Sequence, residues 1–131
     1  MISHQIFPEV ELVSVRLEDS VEFADVKRSL AVLARSDEYR QGYAVIVDLR
    51  DAKLGFHPRD MKKLVSWNRR LGLAVGSWVF LVHTPLETAL AKTYQANARA
   101  LHTVEVFYTV RAISQFLGRN VSAYIAGGEL V

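Results

Sequence analysis

The feature that most constrains the fold of this chain is an unbroken apolar run at residues 43–47 (YAVIV), which ends in the charged run at residues 48–51 (DLRD). A strand without a polar face must be covered on both sides, as the strands of parallel sheets in α/β proteins are. Residues 78–82 (WVFLV) form a second run of the same kind. The two runs therefore predict two inner strands of a mostly parallel sheet.

Helical patterns stand between and after these runs. The four helices are expected at residues 19–35, 58–71, 85–101 and 109–117. The third has the clearest start, because Thr84 suits the N-cap and Glu87 the third helical position, and at the first helix Asp19 is expected to be the cap. Asn68 and Asn97 are placed on inner helix faces, where a buried amide must find hydrogen-bond partners.

The order of elements, β-β-α-β-α-β-α-β-α, predicts a single α/β domain at residues 1–118. Its sheet is expected to have four to five mostly parallel strands, with about four helices and an antiparallel strand at the N-terminal edge. Alternating apolar and polar residues at 11–17, after a turn near Pro8, indicate that edge. Three alternatives remain for the tail at residues 119–131: an added edge strand, a flap over the sheet, or a contact with a second subunit.

Composition argues against several classes of site. The chain has no cysteine, which removes disulfides, thiol catalysis and cysteine-ligated metals. Its histidines lack metal-ligand spacing and its glycines fit no nucleotide-binding motif, so no metal, cofactor or catalytic residue is predicted. A net charge of +2 does not by itself indicate nucleic acid. With no apolar stretch of about 18 residues and no signal-peptide pattern, a cytoplasmic protein without a transmembrane segment is expected.

Several stretches together resemble one protein family. They are residues 45–50 (VIVDLR), 92–95 (KTYQ), 106–109 (VFYT) and 112–117 (AISQFL). In this order of elements they resemble the bacterial STAS/CRAL-TRIO-like (SpoIIAA-like) proteins, over residues 3–118. The resemblance implies a β-α superhelix in which strands that are consecutive in the chain lie side by side. It also implies a protein class whose members mostly have no assigned activity.

The resemblance bears on function as well. In the anti-sigma-factor antagonists of this fold, a phosphorylatable serine stands at the start of the helix after the central strand. The matching stretch here, residues 54–60 (LGFHPRD), contains no serine or threonine. The sequence thus departs from the phospho-switch pattern at the residue that carries it. The CRAL-TRIO part of the resemblance implies an apolar ligand, although this chain is short for a large lipid cavity.

Polar residues are expected to gather where the parallel strands end. Ligands of open α/β sheets bind at this edge, and helix N-termini there favour anions. The residues expected at this strand-end rim are Asp48, Arg50, His57, Arg59, His83, Thr84, Tyr108 and Thr109. They are candidates for binding a small apolar or anionic ligand; the alternative is that strands simply end in water. Because His83 follows an apolar strand, a buried, hydrogen-bonded histidine is preferred to a catalytic base.

A partner surface is predicted on the second helix and in the tail. The outer face of that helix carries five basic residues, with Trp67 among them, and the tail has apolar character between residues 121 and 125. The residues predicted to contact a protein partner or a second copy are Lys62, Lys63, Trp67, Arg70, Val121 and Tyr124.

Three hypotheses for function follow. The preferred one is a non-enzymatic regulatory or protein-interaction domain, expected to form a homodimer, because the sequence contains no catalytic constellation. The second is a carrier or sensor of a small apolar or anionic ligand at the strand-end rim. The third is an enzyme that uses His57 or His83 with Asp48.

Overall fold

The computed structural model describes residues 1–125, which form one mixed sheet with helices on both faces. The strands are β1 (Ile2–Phe7), β2 (Leu12–Val21), β3 (Ala44–Leu54), β4 (Trp78–Leu81) and β5 (Val104–Phe107). The helices are α1 (Phe23–Ala34), α2 (Asp60–Leu71), α3 (Pro85–Ala98) and α4 (Val110–Leu117). Short 3-10 turns lie at Pro8–Val10 and Ser122–Tyr124.

The predicted fold class is confirmed. The strand order is β1-β2-β3-β4-β5, with β1 antiparallel to β2 and all later pairs parallel. Consecutive strands are therefore neighbours in the sheet, which is the arrangement that the resemblance to SpoIIAA-like proteins implied. Each parallel pair is joined by a helix, as a crossover between parallel strands requires.

The two faces of the sheet are covered unequally. Side chains such as Val45, Val47 and Phe80 pack under α1, α2 and α3 in the larger apolar cluster. Ile46 and Leu81 point to the opposite face, where a smaller cluster lies under α4 and the tail. Both faces are thus buried, which explains why these strands have no polar side.

Two boundaries differ from the sequence prediction. β2 and β3 continue as a paired ribbon past the ends of β4 and β5, so that residues expected to form a loop, such as Lys53, are in a strand. The cap of α1 is Glu22, which forms a capping box with Asp25, whereas Asp19 lies in β2 with a positive φ of 59°. The prediction of Asp19 as the cap was wrong because a capping-box spacing occurs twice in this stretch, at 19/22 and at 22/25.

The described part of the tail, residues 119–125, is not a strand and covers the sheet. Val121 is fully buried and Ile125 nearly so, in the cluster that contains Leu12 and Val79. The Val121 amide donates a hydrogen bond of 3.1 Å to Ser114 Oγ of α4. Val121 therefore packs within its own chain, and the prediction that it contacts a partner was wrong. Residues 126–131, including the Gly127-Gly128 pair, lie outside the described residues.

The third helix also differs in detail. Leu90 and Tyr94 are buried as expected, but Leu86 is 52% exposed. Asn97 is exposed too, and its amide donates to the Thr93 carbonyl within the same helix. Asn68 of α2, in contrast, is fully buried and donates a 2.9 Å hydrogen bond to the Tyr94 hydroxyl. Asn68 thus links α2 to α3, whereas the Asn97 side chain makes its hydrogen bond within its own helix.

Candidate functional site

The strand-end rim exists, but only part of the predicted set meets there. Asp48 of β3 lies in register with Leu81 of β4, which lies in register with Phe107 of β5. The residues that follow those two strands, His83 with Thr84 and Tyr108 with Thr109, therefore share an edge with Asp48.

His57 and Arg59 do not belong to that rim. β3 continues for six residues beyond Asp48, to Leu54, which is about 20 Å of extended chain. The two residues form the turn before α2 instead. The His57 amide donates to Asp60 Oδ2 at 2.9 Å, and the Arg59 amide donates to His57 Nδ1 at 3.1 Å. The grouping of all eight residues was wrong because it assumed that β3 ends at its charged run.

The buried Asp48 pairs with the half-buried Arg50 at an irregularity of the sheet. The register of β2 and β3 shifts here, since Arg16 pairs with Asp48 but Glu18 pairs with Asp51. Asp48 Oδ1 accepts from the Arg50 amide at 3.1 Å and from Arg50 Nε at 3.0 Å, and Asp48 Oδ2 accepts from Arg50 Nη2 at 2.9 Å. The hydrogen bond to Asp48 raises the pKa of Arg50. The Asp48 carboxylate therefore stabilises the β-bulge through the Arg50 amide, and it stabilises the charge of the Arg50 guanidinium.

The polar groups around His83 form the N-terminal cap of α3. The buried Glu87 carboxylate accepts from the His83 amide at 3.0 Å and from the Thr84 hydroxyl at 2.8 Å, while Thr84 Oγ1 accepts from the Glu87 amide at 3.3 Å. The His83 ring stays exposed, with Nδ1 3.4 Å from Glu87 Oε1. The prediction of a buried His83 was therefore wrong. Because Glu87 is already bonded to two donors of the helix start, capping accounts for its burial.

The β5 side of the rim has the same character. Thr109 Oγ1 accepts from the Ala112 amide at 3.1 Å and caps α4, and Tyr108 is 61% exposed. Most polar groups of the rim thus serve helix starts or the bulge. The rim offers an exposed imidazole and an exposed phenol, at His83 and Tyr108.

An apolar cavity lies inside the larger cluster, between the sheet and α1, α2 and α3. Its volume is about 50 Å³ and its walls include Leu30, Phe56, Met61 and Phe80. A cavity of about 150 Å³ in another protein is enough for one benzene ring. This cavity therefore has room for a few atoms and not for a lipid chain.

A strongly basic concave surface lies in a groove between α1 and α2, here called the basic groove. It measures about 440 Å³ and is lined by Phe23, Lys27, Arg59, Lys62, Lys63, Ser66 and Arg70. Lys62, Ser66 and Arg70 are spaced four apart, so they form one row along α2, about 12 Å long. Phe23 and Lys27 have the same spacing on α1. Two adjacent helices thus each contribute one row.

Trp67 ties the two walls of the basic groove together. Its Nε1 donates to the Lys27 carbonyl of α1 at 3.0 Å. Lys27 Nζ lies 4.4 Å from the Trp67 ring centre and the Arg70 guanidinium carbon 5.4 Å from it. Such cation–π contacts hold both charges beside the ring, where Arg70 is exposed and Lys27 is half-buried. Trp67 is therefore half-buried in the contact between α1 and α2, and the prediction that it contacts a partner stays a prediction.

The electrostatics of the basic groove are one-sided. Five of its seven lining residues are cationic, although the chain as a whole carries only +2. Among the groove cations, Lys63 forms an ion pair, with its Nζ 3.9 Å from Asp60 Oδ1. Among residues 1–125, no carboxylate lies within ion-pairing distance of Arg59, Lys62 or Arg70. At least three of the five groove cations are therefore not paired with a carboxylate of the described part of the chain.

The α2 wall of the basic groove was predicted from the sequence, and the α1 wall was not. Lys62, Lys63 and Arg70 were predicted from the outer face of α2, whereas Phe23 and Lys27 were not singled out. The available signal was the i, i+4 spacing of Phe23 and Lys27, together with the rule that successive crossover helices on one face of a sheet are neighbours.

His102 is a half-buried histidine that sequence reasoning did not single out. Its Nδ1 lies 3.1 Å from the Gly76 carbonyl oxygen, and its ring meets Trp78 and Tyr94 edge-on. Burial lowers the pKa of His102 below its ordinary value, and the Gly76 carbonyl opposes this in part. The histidine is thus held neutral against an aromatic cluster.

A pH dependence of stability follows from His102. Below pH 6.5, the ordinary pKa of histidine, the unfolded chain binds a proton at His102 more readily than the folded chain does. The contribution of His102 to the free energy of unfolding is therefore fully present above pH 6.5. It is lost as the pH falls towards the lower pKa of the folded state. In the His102→Gln variant this part of the loss should vanish. Thermal unfolding at pH 8 and at pH 5.5 checks this, and the prediction fails if both proteins lose the same stability between the two pH values.

Comparison with models of known protein families finds no match, and comparison with curated proteins finds none either. In residues 1–125 no helix is both long and apolar enough to cross a membrane. The same residues contain no group of three or more histidine, aspartate or glutamate side chains arranged to hold a metal ion.

Proposed function

We propose that this chain is a non-enzymatic protein-interaction domain that binds an acidic segment of a partner protein in the basic groove. The observation that carries the proposal is the concentration of five cations around one concave surface between α1 and α2. Because Arg59, Lys62 and Arg70 have no ion pair with a described carboxylate, an incoming carboxylate does not have to displace one. Oppositely charged surfaces of this kind accelerate encounter and select partners.

The dimensions of the basic groove suit a short peptide. Its row of about 12 Å on α2 matches about four residues of extended chain. Arginine binds carboxylates with two parallel hydrogen bonds, and the Phe23 ring adds an apolar contact at one end. An acidic peptide with an apolar residue beside its carboxylates therefore fits this surface.

Nucleic acid fits less well. Single-stranded nucleic acid is bound by exposed aromatic rings on which bases stack. Here Trp67, the aromatic residue between the two rows, is covered by Lys27 and Arg70. Since its ring is already used, stacking on it would break contacts that hold the groove together.

The carrier or sensor hypothesis is the second candidate. It is favoured by the apolar cavity under α1, α2 and α3, but the volume of about 50 Å³ limits the ligand to a few atoms. At the rim, Asp48, Arg50, Thr84 and Thr109 are engaged by their own helix starts and bulge. The interaction domain is therefore preferred, and an enzyme using His57 or His83 with Asp48 ranks last.

Two other expectations stay predictions. Membership of the SpoIIAA-like family is supported by the sequential strand order and by the sequence stretches that resemble it. If it holds, the loop of residues 54–60 without serine or threonine argues for a partner recognised by charge and not by phosphorylation of this chain. A cytoplasmic location likewise rests on the sequence pattern alone.

Charge reversal in the basic groove tests the proposal. We expect a fluorescein-labelled hexaglutamate peptide to bind the chain with an affinity that falls as salt is raised. The Lys62→Glu/Arg70→Glu variant should bind it at least about tenfold more weakly, because two attractive contacts become repulsive. Fluorescence anisotropy measures both effects.

The matched control reverses two cations elsewhere. Lys92 of α3 and Arg119 after α4 are exposed and lie outside the basic groove. Lys92→Glu/Arg119→Glu changes the net charge by the same amount, so it should leave the affinity within about twofold if the groove is the site. Equal losses in both variants would mean that the peptide follows net charge only, and the proposed site would be rejected.

A further inference from the structure

The outer edge of β1 is an unpaired strand edge. β1 is the first strand of the sheet, and in the described residues only β2 pairs with it. Unpaired edges present main-chain donors and acceptors to any strand that can reach them. Native proteins usually protect long edges with lysine, proline or a bulge. β1 (ISHQIF) has no lysine or proline, and its pairing with β2 shows no register shift.

The hydrogen-bond pattern of β1 identifies the outward-facing groups. The Met1 amino group donates to the Glu18 carbonyl and the Glu18 amide donates to the Met1 carbonyl, so this pair exchanges both bonds. In an antiparallel ladder such pairs alternate with pairs that exchange none. Ile2, His4 and Ile6 therefore direct their amides and carbonyls away from β2. These three residues form a self-complementary set centred on His4.

The opposite edge of the sheet is protected. β5 has only four residues, with the charged Glu105 in the middle. Gln95 of α3 donates its side-chain amide to the Val104 carbonyl at 2.6 Å and so covers part of that edge. The contrast leaves β1 as the edge that is open to another strand.

A groove of about 460 Å³ runs beside the open edge, on the α1 side. Its lining residues are Met1, Ile2, His4, Asp25, Arg28, Ser29 and Val32. Two of the large exposed apolar side chains of the chain are among them, Met1 at 64% and Val32 at 47%. Asp25 and Arg28 form an ion pair of 3.5 Å on α1. A second copy carries the same pair, so each copy brings both a cation and an anion to the exposed apolar side chains of this groove.

We propose that the open edge of β1 is a self-association surface, on which a second copy of this chain adds its own β1 antiparallel about a two-fold axis at His4. Ile2 then pairs with Ile6 of the second copy and His4 with His4, which joins the two sheets into one. This inference does not depend on the acidic partner, since Phe23 and Lys27 point from α1 into the basic groove and Val32 into the groove beside β1.

Proline at the axis tests the pairing. His4→Pro removes an outward amide and leaves the β1–β2 hydrogen bonds intact, so it should weaken dimerisation at least about tenfold. His4→Val keeps the amide and favours a strand, so it should remain a dimer. Sedimentation equilibrium, up to about 100 μM so that a weak dimer is populated, gives the mass of each protein.

A second variant covers the case in which His4→Pro disturbs the strand itself. His4→Asp keeps every main-chain amide but sets two carboxylates opposite each other at the axis, which should also weaken the dimer. A folded, monomeric His4→Asp protein beside a dimeric wild type supports the proposal. A monomeric wild type at every concentration, or a dimer that persists in both His4→Pro and His4→Asp, overturns it.

Discussion

Replacing Val121 by aspartate is expected to cost at least about 4 kcal/mol of the free energy of unfolding, enough to unfold many domains of this size. Val121 has no exposed surface, and its neighbours Leu12, Ile46 and Leu81 are apolar. A carboxylate there would be desolvated without a partner. Chemical denaturation followed by circular dichroism measures the loss.

The control for Val121→Asp lies two residues away. Ala123 is exposed in the same turn, so Ala123→Asp should change stability by no more than about 0.5 kcal/mol. If Val121→Asp does not fold, the milder Val121→Ala should cost about 1–2 kcal/mol and leave the mass in solution unchanged. A stable Val121→Asp protein with an altered mass would instead return this residue to a contact between subunits.

Replacing Asp48 by alanine is expected to have the second largest effect, a loss of about 2–3 kcal/mol. Asp48 is 3% exposed and accepts three hydrogen bonds from Arg50, one from the main chain and two from the guanidinium. Without the Asp48 carboxylate, the half-buried Arg50 guanidinium and the Arg50 amide at the bulge both lose their hydrogen-bond acceptor. The value is set below the range of about 3–5 kcal/mol for breaking a fully buried pair, because the Arg50 side chain is still 27% exposed.

Asparagine separates the two roles of Asp48. Asp48→Asn keeps one oxygen that can accept from the Arg50 amide and Nε, but it loses the charge and the acceptor for Arg50 Nη2, so it should cost about half as much as alanine. Urea denaturation of the three proteins compares them. Equal losses for asparagine and alanine would mean that the charge and the second acceptor account for the whole effect, and no loss for either would leave Asp48 available for the ligand role first predicted for it.

Much of the fold follows from hydrophobic periodicity. The runs at residues 43–47 and 78–82 have no polar side, and in the structure both faces of those strands are covered. Thr84 and Thr109 cap their helices as the spacing predicted. These features are local, so a sequence pattern is enough to reveal them.

Features that depend on distant contacts were not predictable in the same way. The second half of β3, with Arg50, Asp51 and Lys53, is predicted as a loop because its charged residues end the apolar run of residues 43–47. It is a strand because β2 pairs with it, and Arg16 Nη2 bonds Asp51 Oδ2 at 2.6 Å. The tail is a similar case, since only the apolar face under α4 shows why Val121 is buried.

The candidate site divides along the same line. The cations of α2 were predictable because one helix face carries them. The contribution of Lys27 was missed: its spacing on α1 was visible in the sequence, but the contact between Trp67 of α2 and the Lys27 carbonyl forms only in the folded chain. The sequence predicted too many ligand-binding residues at the strand-end rim. Strand ends commonly carry polar residues, and here most of those residues cap the following helices.

The most direct test of the basic groove is a map of amide shifts in ¹H–¹⁵N spectra during titration with unlabelled hexaglutamate. We expect the largest shifts at residues 23–27 and 59–70, together with the indole signal of Trp67, and no comparable change at Asp48, His83 or Thr109. All of these should diminish in the Lys62→Glu/Arg70→Glu variant. Shifts that concentrate at the strand-end rim, or the absence of any shift at low salt, would contradict recognition of an acidic partner by the groove between α1 and α2.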